Sequence, residues 1–323
     1  MALLNGSTLG ILTIQQQLSD SVLNELQKLK LVVPILMSLF FVYVNSVMFC
    51  VLRSKRIFKE TPRYILFGHM LFNDSVQLIV SSMLYTFALA FLKVVTAACA
   101  FIIFVSSATF RNTPLNLAVM SLERYVAICF PLRHTEIATQ KRTYLAIVLM
   151  WCISSINPMI DLFFAAIMDP NFLTMNGFCS RDKLFIKSWQ LDMFNALNVL
   201  YFVSVTVIII FTYISIMITA RSVSSSKDSA RKAYRTVLLH LFQLGLSLTS
   251  FLYVNIERAL YIFSGSDSSL YTNLRYLNFV FVLILPRSLS PLIYGLRDDA
   301  VRPLYKFYFF CGSSKIMPVV NVP

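Results

Sequence analysis

The feature that most constrains this chain is a series of long apolar segments. The first runs from about residue 31 to 52 and has no charged side chain between Lys30 and Arg53. A membrane-spanning helix needs about 20 consecutive, mostly apolar residues, and six further segments of this kind follow. The seven predicted spans cover residues 31–52, 64–92, 96–129, 143–167, 190–219, 233–263 and 273–296.

The composition agrees with a chain that lies mostly in lipid. Hydrophobic residues make up 57% of the 323 residues and charged residues 13%, against roughly 25% charged residues in soluble domains. Too few polar residues are present to cover a soluble globule, so a nucleic-acid-binding protein is excluded although the net charge is +13. Apolar runs such as residues 203–211 lack the alternation of barrel strands. We therefore predict an all-α membrane protein, a seven-transmembrane helix bundle in a single domain over residues 1–323.

The basic residues predict how the spans are oriented. With the N-terminus outside, the inner segments hold 18 basic and six acidic residues, whereas the outer segments hold eight of each, Asp161 being counted among the outer acids. Cytoplasmic loops carry the excess of Lys and Arg, so the N-terminus is predicted to be extracellular and the C-terminus cytoplasmic. Asn5 begins a glycosylation sequon on the outer side. Arg111, Arg287 and Asp74 remain as charges within the spans.

The end of the third span carries the most specific motif. Residues 120–133 read MSLERYVAICFPLR, and this run resembles the MAYDRYVAICxPLRY signature of olfactory receptors in the rhodopsin-like family of G-protein-coupled receptors. The KAYRT stretch with the following His240 and Leu241 resembles the family's KAFSTCxSHL. Residues 286–298 resemble PMLNPFIYSLRN, and Trp151 matches the tryptophan of the fourth helix. The resemblance covers nearly the whole chain.

This resemblance implies a receptor of the plasma membrane that binds a small odorant and activates a heterotrimeric G protein of the stimulatory, olfactory type. The residues expected to form the coupling switch are Glu123, Arg124, Tyr125, Pro131, Leu132, Tyr213 and Tyr294. A disulfide between Cys99 and Cys179 is implied as well. Asn45 and Asp74 match the family's buried polar pair, where Asp74 in many relatives helps to hold a sodium ion. The sequence has no catalytic constellation, cofactor motif or metal-ligand cluster, so an enzyme is not expected.

Several positions depart from the family's pattern and indicate a divergent, fish-type member. The second outer loop has a single cysteine, residues 247–249 replace the sixth-helix FYG, and Ser290 replaces the Asn of NPxxY. Arg287 is expected to face Asp74 from the seventh span. Two alternatives follow: Arg287 replaces the sodium ion as counter-charge, or Asp74 is neutral or bonded to Asn45 and Ser290 while Arg287 is turned elsewhere.

Arg111 is the most unusual residue of the predicted ligand pocket. It follows Cys99 by twelve residues, which places it about 18 Å deeper along a helix that rises 1.5 Å per residue. It is either a cationic anchor for an acidic or carbonyl-bearing ligand, or it pairs internally with Asn157 or Tyr201. The other side chains predicted to face the ligand are Ser106, Ser107, Phe110, Asn198, Tyr201, Phe251, Asn255 and Tyr276. A largely apolar lining suits small volatile or amphiphilic molecules.

Other functions share some of these features. A transporter would have inverted repeats and interrupted helices, and no repeat is found. A rhodopsin-like receptor for a lipid or a peptide is the second alternative, and Ser106 together with the KAYRT stretch argues against it. A retinal protein is excluded because no Lys occurs between Lys232 and Lys306.

The chain beyond the seventh span mixes aromatic and basic side chains. Residues 300–311 therefore predict a short interfacial helix in contact with membrane lipids. Cys311 at its end is either a palmitoylation site or an unmodified thiol. The basic inner face as a whole suits anionic lipid and a G protein.

Overall fold

The computed structural model describes residues 25–90, 92–168, 172, 174–223, 242, 245–246, 248–265, 267–298 and 300–309. The helices in the first half of the chain are α1 Glu25–Ser54, α2 Arg56–Glu60, α3 Pro62–Leu89, α4 Thr96–Cys129, α5 His134–Ile137 and α6 Gln140–Met168. Those in the second half are α7 Ser188–Val223, α8 Tyr253–Ser264, α9 Ser268–Asn278, α10 Leu285–Arg297 and α11 Val301–Phe309. The prediction of an all-α bundle is confirmed.

Shorter elements connect or interrupt these helices. Three 3₁₀ turns lie at Pro131–Arg133, Arg181–Leu184 and Ser250–Leu252, and a π-helix at Phe279–Ile284 joins α9 to α10. The two strands are β1, Lys93–Val95, and β2, Asn176–Phe178, and they pair antiparallel with Val94 opposite Gly177.

Three described helical stretches are long and apolar enough to cross a membrane, namely Lys28–Ser54, Gln140–Met168 and Ser188–Thr219. A fourth candidate is α4 taken with Pro131–Ile137, which meets it at 114°. Helix α3 has the length of a span, at 28 residues, but buries Asn73, Asp74 and Gln77, which lower its hydropathy. The predicted sixth span begins at residue 233, outside the described residues, and its outer part corresponds to residues 250–264.

Helix α1 illustrates how the bundle separates core from lipid. Its buried side chains Val44, Met48 and Val51 recur at helical spacing, and they pack with Phe67 and Leu117 in the largest apolar cluster. The opposite face exposes apolar side chains, namely Leu36, Leu39, Phe40 and Tyr43. A face that is exposed and yet apolar suits contact with lipid chains.

Helix α11 closes the inner end of the bundle against α1. Val301 and Leu304 are fully buried there. Asp298 caps the helix by accepting hydrogen bonds from the backbone N–H groups of Ala300 and Val301, at 3.0 and 3.3 Å. The same carboxylate forms an ion pair with Arg63 at the start of α3. The position of α11 agrees with the predicted interfacial helix, whereas Cys311 lies outside the described residues.

The loop between α6 and α7, predicted to be the second outer loop, is fixed to the N-terminal end of α4. Cys99 and Cys179 form a disulfide with a Cα–Cα distance of 5.5 Å, which confirms the predicted pair. Close by, the backbone N–H and the hydroxyl of Thr96 both donate to the carbonyl of Met175 at 2.8 Å. The loop that carries β2 is therefore held over the outer ends of α4, α6 and α7.

Candidate functional site

An aromatic cluster joins α4, α7 and the 3₁₀ turn at Ser250–Leu252. The rings of Phe110 and Phe251 meet edge-to-face with centroids 6.0 Å apart, and Phe202 contacts Phe251 in the same manner at 6.1 Å. The structure thus brings together two of the side chains predicted to face a ligand. The sequence reasoning missed Phe202, although it lies one helical turn after Asn198, which was predicted to face inward.

The other predicted ligand residues surround this cluster unevenly. Ser107 is buried on α4, and Ser106 beside it is half-buried. Asn198 and Tyr276 are half-buried as well, and Tyr276 packs against the apolar cluster that includes Phe110. Asn255 on α8 is exposed.

Arg111 lies among protein groups between α4, α6 and α7. It is 1% exposed, and its Nη2 donates to the side-chain oxygen of Asn157 at 2.6 Å. Nη1 donates to the carbonyl of Ser154 at 3.4 Å. The guanidinium carbon lies 5.6 Å from the ring centroid of Phe194 and 5.8 Å from that of Tyr201. This geometry matches the alternative in which Arg111 pairs within the protein, because Asn157 and Tyr201 both contact it.

Asp161 corrects the charge count made from the sequence. Counting assigned it to the outer segments, but it lies within α6 and is 2% exposed. It accepts a hydrogen bond from Gln190 at 3.2 Å and interacts electrostatically with Arg181 and Arg111. Apart from Asp298 at the inner end, the buried charged side chains among the described residues are therefore two carboxylates and two guanidinium groups. The predicted span 143–167 already contains Asp161, so its place among the outer acids was an error of the charge count.

Gln190 fixes the region around Asp161 and was not identified from the sequence. It is buried at the start of α7, and its side-chain oxygen accepts from the backbone N–H groups of Ile186 and Lys187, at 2.8 and 3.0 Å. Its amide nitrogen donates to the carbonyl of Leu184 at 3.2 Å in addition to Asp161. One side chain thus links the second outer loop to α6 and α7.

A second polar cluster surrounds Asp74 between α3 and α4. The hydroxyl of Thr113 donates to Asp74 at 2.8 Å, and the amide of Asn73 donates to Thr113 and to the carbonyl of Thr109, both at 2.9 Å. Asn45 donates instead to Ser75 at 3.2 Å. The side chain of Ser290 lies outside the described residues.

Arg287 lies on α10 beside Phe110 of the aromatic cluster. It is 2% exposed, and its Nη1 donates to the carbonyl of Leu283 at 3.3 Å. Its guanidinium carbon is 5.0 Å from the ring centroid of Phe110. Arg287 and Asp74 interact electrostatically, but their described side chains form no ion pair within 4 Å. Neither alternative drawn from the sequence matches this arrangement in full.

Helices α8 and α9 are joined by an ion pair. Arg275 lies with its Nε 2.8 Å from a carboxylate oxygen of Glu257, and both side chains are part-buried. Nearby, Tyr85 stacks on Phe279 with centroids 4.3 Å apart. The ion pair joins the outer part of the sixth span to the seventh, and the stacked rings join α3 to the seventh span.

At the inner end, the signature residues lie where α4 stops. Glu123 pairs with His134 at 3.1 Å, and the ring of Tyr125 contacts Phe130 and Phe211 with centroids 5.6 and 5.4 Å apart. Leu132 is 95% exposed. Of the other predicted switch residues, Pro131 is exposed, Arg124 and Tyr213 are half-buried, and the side chain of Tyr294 lies outside the described residues.

Comparisons with known proteins point to one family. The family described as "7 transmembrane receptor (rhodopsin family)" matches residues 44–294, from within α1 to within α10. Odorant receptor 131-2 of Danio rerio is 34% identical over 291 residues, which cover 89% of this chain and 87% of that protein. Olfactory receptor 2M5 of Homo sapiens is 29% identical over 255 residues, and olfactory receptor-like protein COR2 of Gallus gallus is 26% identical over 256; each match covers 75% of this chain and 78% of the relative.

Proposed function

The chain belongs to the rhodopsin family of seven-transmembrane receptors, and we propose that it is an odorant receptor that binds a small organic molecule within its helix bundle. The resemblance stated from residues 120–133 is confirmed by relatives of that name. The family consists of receptors, so the expectation that the chain is no enzyme is confirmed too. The observation that carries the proposal is the similarity to an odorant receptor over nearly the full length of both chains.

The ligand is proposed to lie against the aromatic cluster of Phe110, Phe202 and Phe251. Ser107 on the same face of α4 supplies a hydroxyl, and Ser106, Asn198, Tyr201, Asn255 and Tyr276 complete the proposed lining. Apolar walls with few polar groups favour a small volatile or amphiphilic ligand. An edge-to-face contact covers one face of one ring, so part of the aromatic surface is left to contact a hydrocarbon or aromatic group.

Arg111 is proposed to be structural rather than an anchor for acidic ligands. Its hydrogen bonds to Asn157 and Ser154 and its two ring contacts already compensate much of the cost of burying a guanidinium. A ligand carboxylate would have to displace Asn157 or reach past the rings of Phe194 and Tyr201. Arg111 thereby holds α4 to α6 and α7 at the level of the pocket.

The inner end of α4 is proposed to bind a heterotrimeric G protein of the stimulatory, olfactory type. The exposed Leu132 and Pro131 form a protruding apolar surface beside the signature. Arg124, Tyr213 and Tyr294 are proposed to repack when the ligand shifts the receptor between two states. This assigns the inner end to the cytoplasm, the glycosylation site Asn5 to the extracellular side and the receptor to the plasma membrane.

The test is ligand-dependent cyclic AMP in cells that express the receptor with an N-terminal epitope. Unpermeabilised cells should bind an antibody to the epitope, and Asn5→Gln should remove a glycan visible as a mobility shift. A screen of acids, neutral odorants and amines should yield a ligand that raises cyclic AMP, and Arg124→Ala should abolish the rise at equal surface expression. Arg56→Ala, an exposed arginine away from the signature, is the control and should respond normally.

Two results would contradict this proposal. A response that persists in Arg124→Ala would argue against coupling through the signature. A ligand-induced calcium signal without cyclic AMP would overturn the assignment to a stimulatory G protein.

A further inference from the structure

The resemblance implies a sodium ion beside Asp74, and the residues present decide whether such an ion fits. Asp74 is fully buried, and one carboxylate oxygen accepts from Thr113. Its other oxygen, Oδ2, has no hydrogen-bond partner among the described residues. Asn73 and Asn112 add further buried oxygens without a partner in this part of the structure. Oxygen ligands of this kind would by themselves suit a hard cation.

Arg287 changes that assessment because its own guanidinium brings a positive charge to the same region. Its side chain is 2% exposed, and its charge interacts electrostatically with Asp74. The Nε and Nη2 groups have no hydrogen-bond partner among the residues described, just as Asp74 Oδ2 has none. Unused donors on one side and an unused acceptor on the other show that the two opposite charges interact without a direct hydrogen bond.

The charged side chains buried in the described part of the bundle also argue against a sodium ion beside Asp74. Five charged side chains are buried among those described, and Asp298 lies at the inner end beside Arg63. The remaining four form two pairs, each of one positive and one negative side chain, namely Arg111 with Asp161 and Arg287 with Asp74. A sodium ion beside Asp74 would add a third cation to two carboxylates. At low dielectric, repulsion from Arg287 would cancel much of the attraction that the carboxylate offers.

The sodium ion therefore does not fit the residues of this chain, and we infer that Arg287 is a built-in counter-cation that makes the receptor independent of sodium at Asp74. The charges and contacts that determine this lie on α3, α4 and α10, and they involve neither a ligand nor a G protein. The π-helix at Phe279–Ile284 immediately precedes the turn that carries Arg287, and π segments are frequent at functional sites.

The test is thermal unfolding of the purified full-length receptor without ligand, in sodium chloride and in choline chloride at equal ionic strength. An ion that binds only the folded state raises the unfolding temperature. The wild-type protein should unfold at the same temperature in both salts. Arg287→Met should leave Asp74 as a buried carboxylate without a counter-charge, and sodium should then raise its unfolding temperature by about 3 °C or more.

Two further variants serve as controls for Arg287→Met. Arg287→Lys keeps the charge and should remain indifferent to sodium. The double variant Asp74→Asn with Arg287→Met lacks the carboxylate and should lose the gain in sodium. A wild-type receptor that sodium stabilises over choline, with the effect lost in Asp74→Asn, would overturn the inference. That comparison decides the matter even if Arg287→Met does not fold, and it is independent of whether the chain responds to odorants.

Discussion

The two buried arginines of this receptor occupy very different surroundings. Arg111 donates to Asn157 and to Ser154 and lies beside two aromatic rings. Arg287 has one long bond to a main-chain carbonyl, one ring neighbour, and two N–H groups without a partner among the described residues. A well-satisfied charge holds elements together, whereas a poorly satisfied one can change partners at low cost. We therefore interpret Arg111 as part of the scaffold and Arg287 as part of the moving interior.

Loss of the disulfide should have the largest effect on the receptor. It changes the surroundings of Arg111, because the freed loop packs on Phe194, which contacts Arg111. Cys99→Ser with Cys179→Ser frees the loop that holds Arg181, whose guanidinium lies 3.9 Å from the ring centroid of Phe194. Removing a native disulfide typically costs about 2–5 kcal/mol. We expect surface expression to fall severely, measured by antibody binding to unpermeabilised cells. Cys152→Ser, a free and exposed cysteine, should express normally; equal loss in both would mean that any cysteine change harms the receptor.

Replacing Asn157 should have the next largest effect. Asn157→Leu leaves the buried Arg111 without its shortest hydrogen bond, and an uncompensated bond to a charged group costs about 3 kcal/mol. We expect a clear fall in the unfolding temperature of the purified receptor. Asn255→Leu makes the same chemical change at an exposed position and should leave stability nearly unchanged. Similar values for the two variants would contradict a structural role for Arg111.

A double-mutant cycle on Asp74 and Arg287 measures how strongly these two buried charges interact. Each single change, Asp74→Asn or Arg287→Met, leaves one buried charge unbalanced, whereas the double variant removes both. We expect the double variant to be more stable than the sum of the single effects predicts, with a coupling of about 1–2 kcal/mol. Purely additive effects in thermal or chemical unfolding would show that the two charges do not interact.

The sequence anticipated the parts of this receptor that depend on motif and topology. Residues 120–133 identified the inner end of α4, and Cys99 with Cys179 gave the outer disulfide. The apolar spans gave the helical class. Each of these is encoded in residue type and order, which a single sequence displays directly.

The side-chain contacts of the interior could not be predicted from the sequence. Phe202, Gln190 and Thr113 were missed because a largely apolar helix does not reveal which of its faces turns inward. Asp161 was assigned to the outer side because its burial depends on how α6 packs against α7. Arg287 was expected to face Asp74, but the gap between them depends on side-chain directions that the sequence does not specify.

The smallest expected effect comes from matched changes to the two aromatic neighbours. Phe194→Leu removes one of four contacts of Arg111, and Phe110→Leu removes one of the two contacts of Arg287. Each variant loses a contact with the buried arginine of about 1 kcal/mol and at least one further partner of the ring, Arg181 for Phe194 and Phe251 for Phe110, so the two variants should be similarly stable. Their responses should differ, because Arg287 is less firmly held and Phe110 also belongs to the proposed ligand cluster. We expect Phe110→Leu to shift basal and ligand-induced cyclic AMP, and Phe194→Leu to leave both near wild type. Equal shifts in the two variants would remove the distinction between a scaffold arginine and a mobile one.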